Sequence, residues 1–269
     1  MLGSSAGSLA QLTEEVVAAV EHGDGGAELG TGLFSASAVL AGQPALRRAL
    51  TDPSAESPAR AGLAEAVFGK HLTPAATSLV SSAAGHRWAS SADLAHALEQ
   101  LGVVALVRAA DRDGAGDRVE QELFAFGRTV TEHHELRSAL SDPARSDADR
   151  QALVRTLLQG KADPRTVALV EQAATGAHLT ITNALDSFVE LAARTRGRVV
   201  ALVRVAEPLA EDEEKRLVAA LSAQYDRAVH LNTVVDPDVL GGVHVSVGDE
   251  VIDGTVSSRL DDAARRLAG

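Results

Sequence analysis

The stretch that most invites a chemical reading is Leu240–Gly254, LGGVHVSVGDEVIDG, with four glycines among alternating valines. Glycine-rich loops hold phosphates when they run from a strand into a helix whose free N–H groups face the anion. Here Gly241-Gly242 precedes alternating residues, and no Gly-Lys-Ser/Thr follows, so the pattern reads as sheet entry. Asp236, Asp238, Asp249 and Asp253 could form an acid pair or a metal site, but all four fall at expected turns, where Asp bonds its own backbone. Asp111, Asp113, Gly116 and Glu122 fit a calcium-loop spacing. The fit fails at Ala115, where an oxygen ligand belongs, and at Arg118, where an apolar residue belongs. The nine histidines form no H-E-x-x-H, and no G-x-S-x-G elbow occurs. Trp88 and Tyr225, each the sole residue of its type, read as packing anchors. No catalytic residue, metal ligand or cofactor site emerges, which favours a binding or structural protein over an enzyme.

Composition narrows the choice further. The formal net charge of −12, with basic residues scattered singly or in pairs, gives no stripe for nucleic acid. There is no cysteine, which excludes disulfides and thiolate sites and fits a reducing compartment. The start, MLGSSAGSLAQLTEE, lacks the basic and apolar regions of a signal peptide. The longest apolar run, Val103–Val107, is too short to span a bilayer. Apolar residues make up 45% of the chain and aromatics only 3%, so its cores are built from Ala, Leu and Val, which suit closely packed helices.

The elements that would position any site come from a repeat. LRRALTDP at Leu46–Pro53 matches LRSALSDP at Leu136–Pro143, an offset of 90 residues. At the same offset Leu33-Phe34 matches Leu123-Phe124, Arg60 matches Arg150, Pro74 matches Pro164, and Leu79-Val80 matches Leu169-Val170. A duplication explains this. Within copy two, Leu123, Phe126, Val130, Leu136 and Leu140 recur near helical spacing until Asp142-Pro143 ends the helix. The next helix is capped by the run after Pro143, carries Leu153, Val154, Leu157 and Leu158, and stops at Gly160. Asp163-Pro164 starts another, and copy one follows the same order. The expected organisation is two tandem antiparallel helical bundles, residues 1–112 and 113–196. A solvated linker at Asp111–Asp117, whose acids cap the following helix, would join them.

From Val199 the period becomes that of strands: Val199–Val205, then a helix from Glu211 to about Tyr225, then Val229–Val235. Val243, Val245 and Val247 alternate with His244 and Ser246, Gly248-Asp249 marks a two-residue hairpin, and Glu250–Asp253 returns. Thr255–Leu267 reads as a closing helix. Residues 197–269 therefore form a strand-helix-strand-strand-strand-helix unit. The fold class is mainly α with a small α+β C-terminal domain.

Val235–Leu267 resembles the signature of the delta subunit of the F-type ATP synthase, whose mitochondrial relative is the oligomycin-sensitivity-conferring protein. The matching residues are Asp236, Leu240-Gly241-Gly242, the alternating valines, Gly248-Asp249, Ile252-Asp253-Gly254 and Arg259-Leu260. The helical copies are similar to that family's six-helix domain, present here twice, as in longer actinobacterial forms. The resemblance implies a non-catalytic peripheral-stalk subunit without cofactor, one copy per complex, on the cytoplasmic face of the plasma membrane. It implies alpha subunits as partners, bound through their N-terminal helices by the helical domain, and a b-type stator subunit met by the C-terminal domain. The family's docking arginine corresponds to Arg87 in copy one, whereas copy two has Ala177-His178 there. A stand-alone helical adaptor unrelated to the synthase is the alternative.

Overall fold

The computed structural model describes residues 3–255 apart from 24, 143, 177, 179, 198, 226–228, 237–241 and 248–249. The helical part holds α1 (Ser4–Glu21), α2 (Gly26–Gly42), α3 (Pro44–Leu50), α4 (Ser57–Phe68), α5 (Pro74–Gly85) and α6 (Ser91–Arg112). It continues with α7 (Gly116–Glu132), α8 (His134–Ser141), α9 (Asp147–Leu158), α10 (Pro164–Thr175) and α11 (Ile181–Thr195). Three pairs of helices, α2 and α7, α4 and α9, and α5 and α10, start and stop at an offset of 90 residues. The chain divides into two compact units, Met1–Ala192 and Ala193–Gly269. The expected boundary at 112/113 falls inside the first of these, at the turn from α6 into α7.

The reason lies in α6. Shifted by 90, α1 lands at 94–111, inside α6, and α6 shifted by 90 begins where α11 begins. So α6 both closes the first copy and opens the second. A helix used by two bundles must be apolar nearly all round. On α1, Gln11, Glu14 and Glu15 are exposed. Their counterparts on α6, Leu101, Val104 and Ala105, are 0–2% exposed. Leu94, Leu98, Leu101 and Val104 join a core with α1, α2 and α5, and Val103, Leu106, Val107 and Ala110 join another with α7, α10 and α11.

The α2–α6 contact is close. A Cβ at Gly102 would lie 2.5 Å from the Phe34 ring, and one at Gly30 would lie 2.9 Å from the Gly102 carbonyl. Small residues bring the backbones together, and Ser37 Oγ donates to the Ala95 carbonyl at 2.8 Å. Phe34 thereby reaches from copy one into the second core.

The periodicity read Leu123 to Leu140 as one helix, but the structure divides it at His133 (φ −110°, ψ 95°) into α7 and α8. The equivalent break in copy one is Gln43, before Pro44. The residue before proline avoids the α region, which explains Gln43 but not His133. Both breaks share an arginine that covers the carbonyls freed at the helix end. Arg47 Nη1 donates to the Leu40 carbonyl at 3.2 Å, and Arg137 Nη1 donates to the Thr131 carbonyl at 2.9 Å. The Asp-Pro turns hold by side-chain bonds: Asp52 Oδ1 accepts from Ser54 N and Asp142 Oδ1 from Ala144 N, both at 2.9 Å. Ser146 caps α9, accepting from Asp149 N and donating to the Asp149 carboxylate.

The second unit contains β1 (Val199–Val205), α12 (Glu211–Tyr225), β2 (Val229–Val235), β3 (Gly242–Val247) and β4 (Glu250–Thr255). Among the described residues the sheet order is β2-β1-β3-β4, with β1 parallel to β2 across the α12 crossover and the other pairs antiparallel. Ala201, Val203 and Val205 alternate into a core with Leu231, Val245 and Leu221. Val247 pairs with Glu250, and the expected hairpin residues Gly248-Asp249 lie outside the described residues. The return strand runs two residues beyond expectation, because β3 already begins at Gly242, which pairs with Thr255. Residues 256–267, expected as the closing helix, lie outside the described residues. The architecture is mainly helical with a small α+β unit near the C-terminus.

Candidate docking surfaces

Arg87 stands on a corner built by Arg60. Arg60 is only 6% exposed, and its guanidinium is consumed by backbone carbonyls. Nε donates to Ala84 at 2.9 Å, Nη2 to Gly85 at 2.8 Å and His86 at 3.2 Å, and Nη1 to Asp52 at 3.2 Å and to Ala55. These bonds tie α4 to the end of α5 and to the turn after α3, and they compensate a charge that burial alone would penalise. The chain then passes through His86, Arg87 and Trp88 to Ser90, which caps α6. Trp88 Nε1 donates to the Ala83 carbonyl at 2.8 Å, and Ser8 Oγ to the Arg87 carbonyl at 2.8 Å. Ser5 Oγ accepts from Ala89 N at 2.8 Å and donates to Asp93 Oδ2 at 2.6 Å.

The corner is thus fixed on both sides, while the Arg87 side chain is exposed. It lines a cleft of about 510 Å³ with Ser4, Ser54, Ser57, Arg60 and His86. Among the described residues its guanidinium has no partner. Such a cation on a rigid corner can take a carboxylate from another chain.

A second feature of copy one is apolar. Val39 and Leu63 are each 37% exposed. Val39 borders a cleft of about 420 Å³ with Val67, Phe68, His71 and Leu72. Leu63 lies one turn before Val67 on α4. In copy two the counterparts of Val39, His71 and Leu72 are Thr129, Lys161 and Ala162, a more polar set.

The equivalent corner in copy two turns inward. Glu99 of α6 is 4% exposed and accepts from Gln172 Nε2 at 2.6 Å. His178 Nε2 lies 3.0 Å from its other oxygen. The His178 ring meets Phe188 edge-on at 5.6 Å. The hydrogen bond to Glu99 outweighs burial and raises the His178 pKa above its ordinary 6.5. No motif or spacing in the sequence brings Glu99, Gln172 and His178 together. The cluster's one signal is a lone glutamate inside the apolar run of α6.

The calcium spacing does not assemble. Asp113 accepts from Arg165 Nη1 at 2.8 Å, and the same nitrogen donates to the Ala109 carbonyl at 2.9 Å. Glu122 instead accepts from Thr166 Oγ1 at 2.7 Å and Asp163 N at 2.8 Å, and pairs with Arg118 at 2.7 Å. Burial opposes its ionisation, but these three bonds prevail and lower its pKa. The Asp163 pKa is also lowered, chiefly by its bond to Arg165. Among the described residues no group of three or more potential ligands could hold a metal. The segment is solvent-exposed at Arg112, Asp113, Gly114 and Asp117, and a salt bridge from Asp113 to Arg165 ties it to α10. The N-cap residue of α7 is Ala115, which makes no side-chain bond, and Asp117 lies in the first turn of the helix.

Of the signature residues, Asp236 follows β2 and its N–H donates to the Val205 carbonyl at 2.8 Å. Gly242 opens β3 with φ +83°, a conformation that glycine adopts freely. Asp253 and Gly254 sit in β4 opposite His244 and Val243, so Asp253 is a strand residue and not the expected turn residue. Its place in the strand follows from the length of β4, which continues to Thr255. Leu240, Gly241, Gly248, Asp249, Arg259 and Leu260 lie outside the described residues, as do Asp238 and Ala177.

Residues 103–267 match the model of the family described as ATP synthase delta (OSCP) subunit. The match opens within α6 and takes in the second copy and the α+β unit. Proteins named ATP synthase subunit delta align along nearly the whole chain. One from Nocardioides sp. is 49% identical over 99% of this chain and 97% of its own. One from Kineococcus radiotolerans is 44% identical over 97% and 94%. One from Frankia casuarinae is 46% identical over 87% and 86%. On this footing, the chain belongs to the ATP synthase delta (OSCP) subunit family.

Proposed function

We propose that this chain is the peripheral-stalk subunit that ties the catalytic head of an F-type ATP synthase to its membrane-anchored b-type subunit and resists rotor torque. It is not itself catalytic. Full-length similarity to ATP synthase delta subunits carries the reading. The helical unit supplies what a docking module needs, a rigid scaffold with few interior charges. Copy one takes the N-terminal helices of alpha subunits. Its corner leaves Arg87 free and its surface keeps an apolar cleft, suited to an amphipathic helix carrying an acidic residue. Copy two spends the matching corner on Glu99. The α+β unit meets the b-type subunit. Two modest contacts on one chain gain from effective concentration, so neither needs extreme affinity. One copy serves each complex, at the cytoplasmic face of the plasma membrane. No described helix is long and apolar enough to cross a membrane.

The test divides the chain after residue 196. Residues 1–196 are expected to retain alpha and residues 197–269 to retain the b-type subunit. Loss of both contacts by two folded halves would contradict the assignment of one contact to each unit.

A further inference from the structure

We propose that Glu99 and His178 form a pH-responsive latch, closed when His178 is protonated, which locks the α10–α11 corner of copy two onto the shared helix α6. This goes beyond the stalk function and does not depend on it.

The geometry is that of a latch. Glu99 is the acid buried in the otherwise apolar middle of α6, and its carboxylate needs donors. Three elements supply or frame them: α10 through Gln172, the corner through His178, and α11 through Phe188 behind the imidazole. The corner is moulded to the acid, because a Cβ at Gly176 would lie 2.2 Å from Glu99 Oε1. A side chain there would force the carboxylate away. On α11, Asp186 and Glu190 flank Phe188 in sequence and are both exposed. On α6, Glu99 faces it directly, while His96 is exposed in the neighbouring cleft. On α10, Glu171 lines that cleft but is paired with Arg155 at 2.6 Å. The charge attraction on His178 comes from Glu99.

Protonation therefore changes one contact. As imidazolium, His178 donates to Glu99 with full charge assistance. As neutral imidazole it donates only in the tautomer with Nε2–H, and Gln172 is left as the sole obligatory donor. With a folded pKa above the unfolded 6.5, the stabilising contribution is complete below about pH 6.5 and is lost as pH rises through the folded value. The corner then loosens from α6.

The experiment uses the full chain. NMR follows the His178 ring through a pH titration, with its signal identified by its loss in His178→Gln. Hydrogen exchange, corrected for intrinsic rates, follows residues 172–188 at about pH 5.5 and about pH 8.5, on either side of histidine titration. The expected results are a His178 midpoint above the ordinary range, returned to it by Glu99→Gln, and protection that falls severalfold at the higher pH in the wild type but not in His178→Gln. An ordinary midpoint in the unaltered protein overturns the proposal, and that measurement stands even where a variant fails to fold. The same loss of protection in wild type and His178→Gln also overturns it.

Discussion

Gly30 and Gly102 face each other where α2 crosses α6, and the Gly102 carbonyl lies 2.9 Å from where a Gly30 Cβ would be. This contact brings Phe34 into the second core and joins the two copies. Gly102→Val would drive methyl groups into the Phe34 ring, which backbone movement must absorb. Overpacking of this kind costs about 3 kcal/mol. Denaturant unfolding of the variant should show a lowered midpoint at an unchanged slope. A midpoint equal to wild type would mean that the helices tolerate separation.

The shared helix makes a prediction about fragments. Residues 1–112 contain α1–α6, and residues 91–192 contain α6–α10 with all but the last three residues of α11, because α6 serves both. Each is expected to melt cooperatively by circular dichroism. Residues 1–90 and 113–192 each lack α6 and should not. Cooperative melting of residues 113–192 would show that copy two does not need the shared helix.

Much of this arrangement was legible in the residues, and the illegible part has a physical cause. Asp-Pro turns, the capping Ser146 and alternation in β3 are local, so residue type announces them. The double use of α6 is not local. Glu14 on α1 answers to Val104 on α6, because α1 has a solvated face and α6 is enclosed by two cores; burial on both sides of α6 erased the similarity that marks the rest of the repeat. Arg60 was visible as a repeat partner of Arg150, but its acceptors are carbonyls, which carry no sequence signal. The partners diverge in structure, since Arg150 reaches the Asp147 carboxylate instead.

Arg60→Met should expose that difference. The substitution keeps the aliphatic bulk but leaves several helix-end carbonyls without donors. The expected loss is about 3 kcal/mol by chemical unfolding, in line with deleting a buried charged hydrogen-bond hub. Arg150→Met, where the contact is partly exposed, should lose less. Equal losses would contradict the role assigned to the carbonyl bonds.

Glu122 predicts an acid limb. Its folded pKa lies below the ordinary 4.5, so its contribution is complete above about pH 4.5 and is lost as pH falls through the folded value. Stability measured at about pH 6 and about pH 3 should fall more steeply in wild type than in Glu122→Gln. Parallel losses in both proteins would remove Glu122 from the explanation.

Gly242→Val places a β-branched residue at φ +83°, where β3 begins. Strain of this kind costs about 1–3 kcal/mol, and the α+β unit should melt earlier while the helical unit is unaffected. An unchanged melting profile would count against the strand entry described for Gly242.

Arg87 bears directly on attachment to the catalytic head. Intact synthase is purified through a tag on this chain, from cells carrying either wild type or Arg87→Glu, and the recovered alpha and b-type subunits are quantified. The account predicts that wild type recovers both and that Arg87→Glu retains the b-type subunit while losing most of the alpha subunit. Intact synthase that contains no copy of this chain, or an Arg87→Glu variant that holds alpha as well as wild type does, would contradict it.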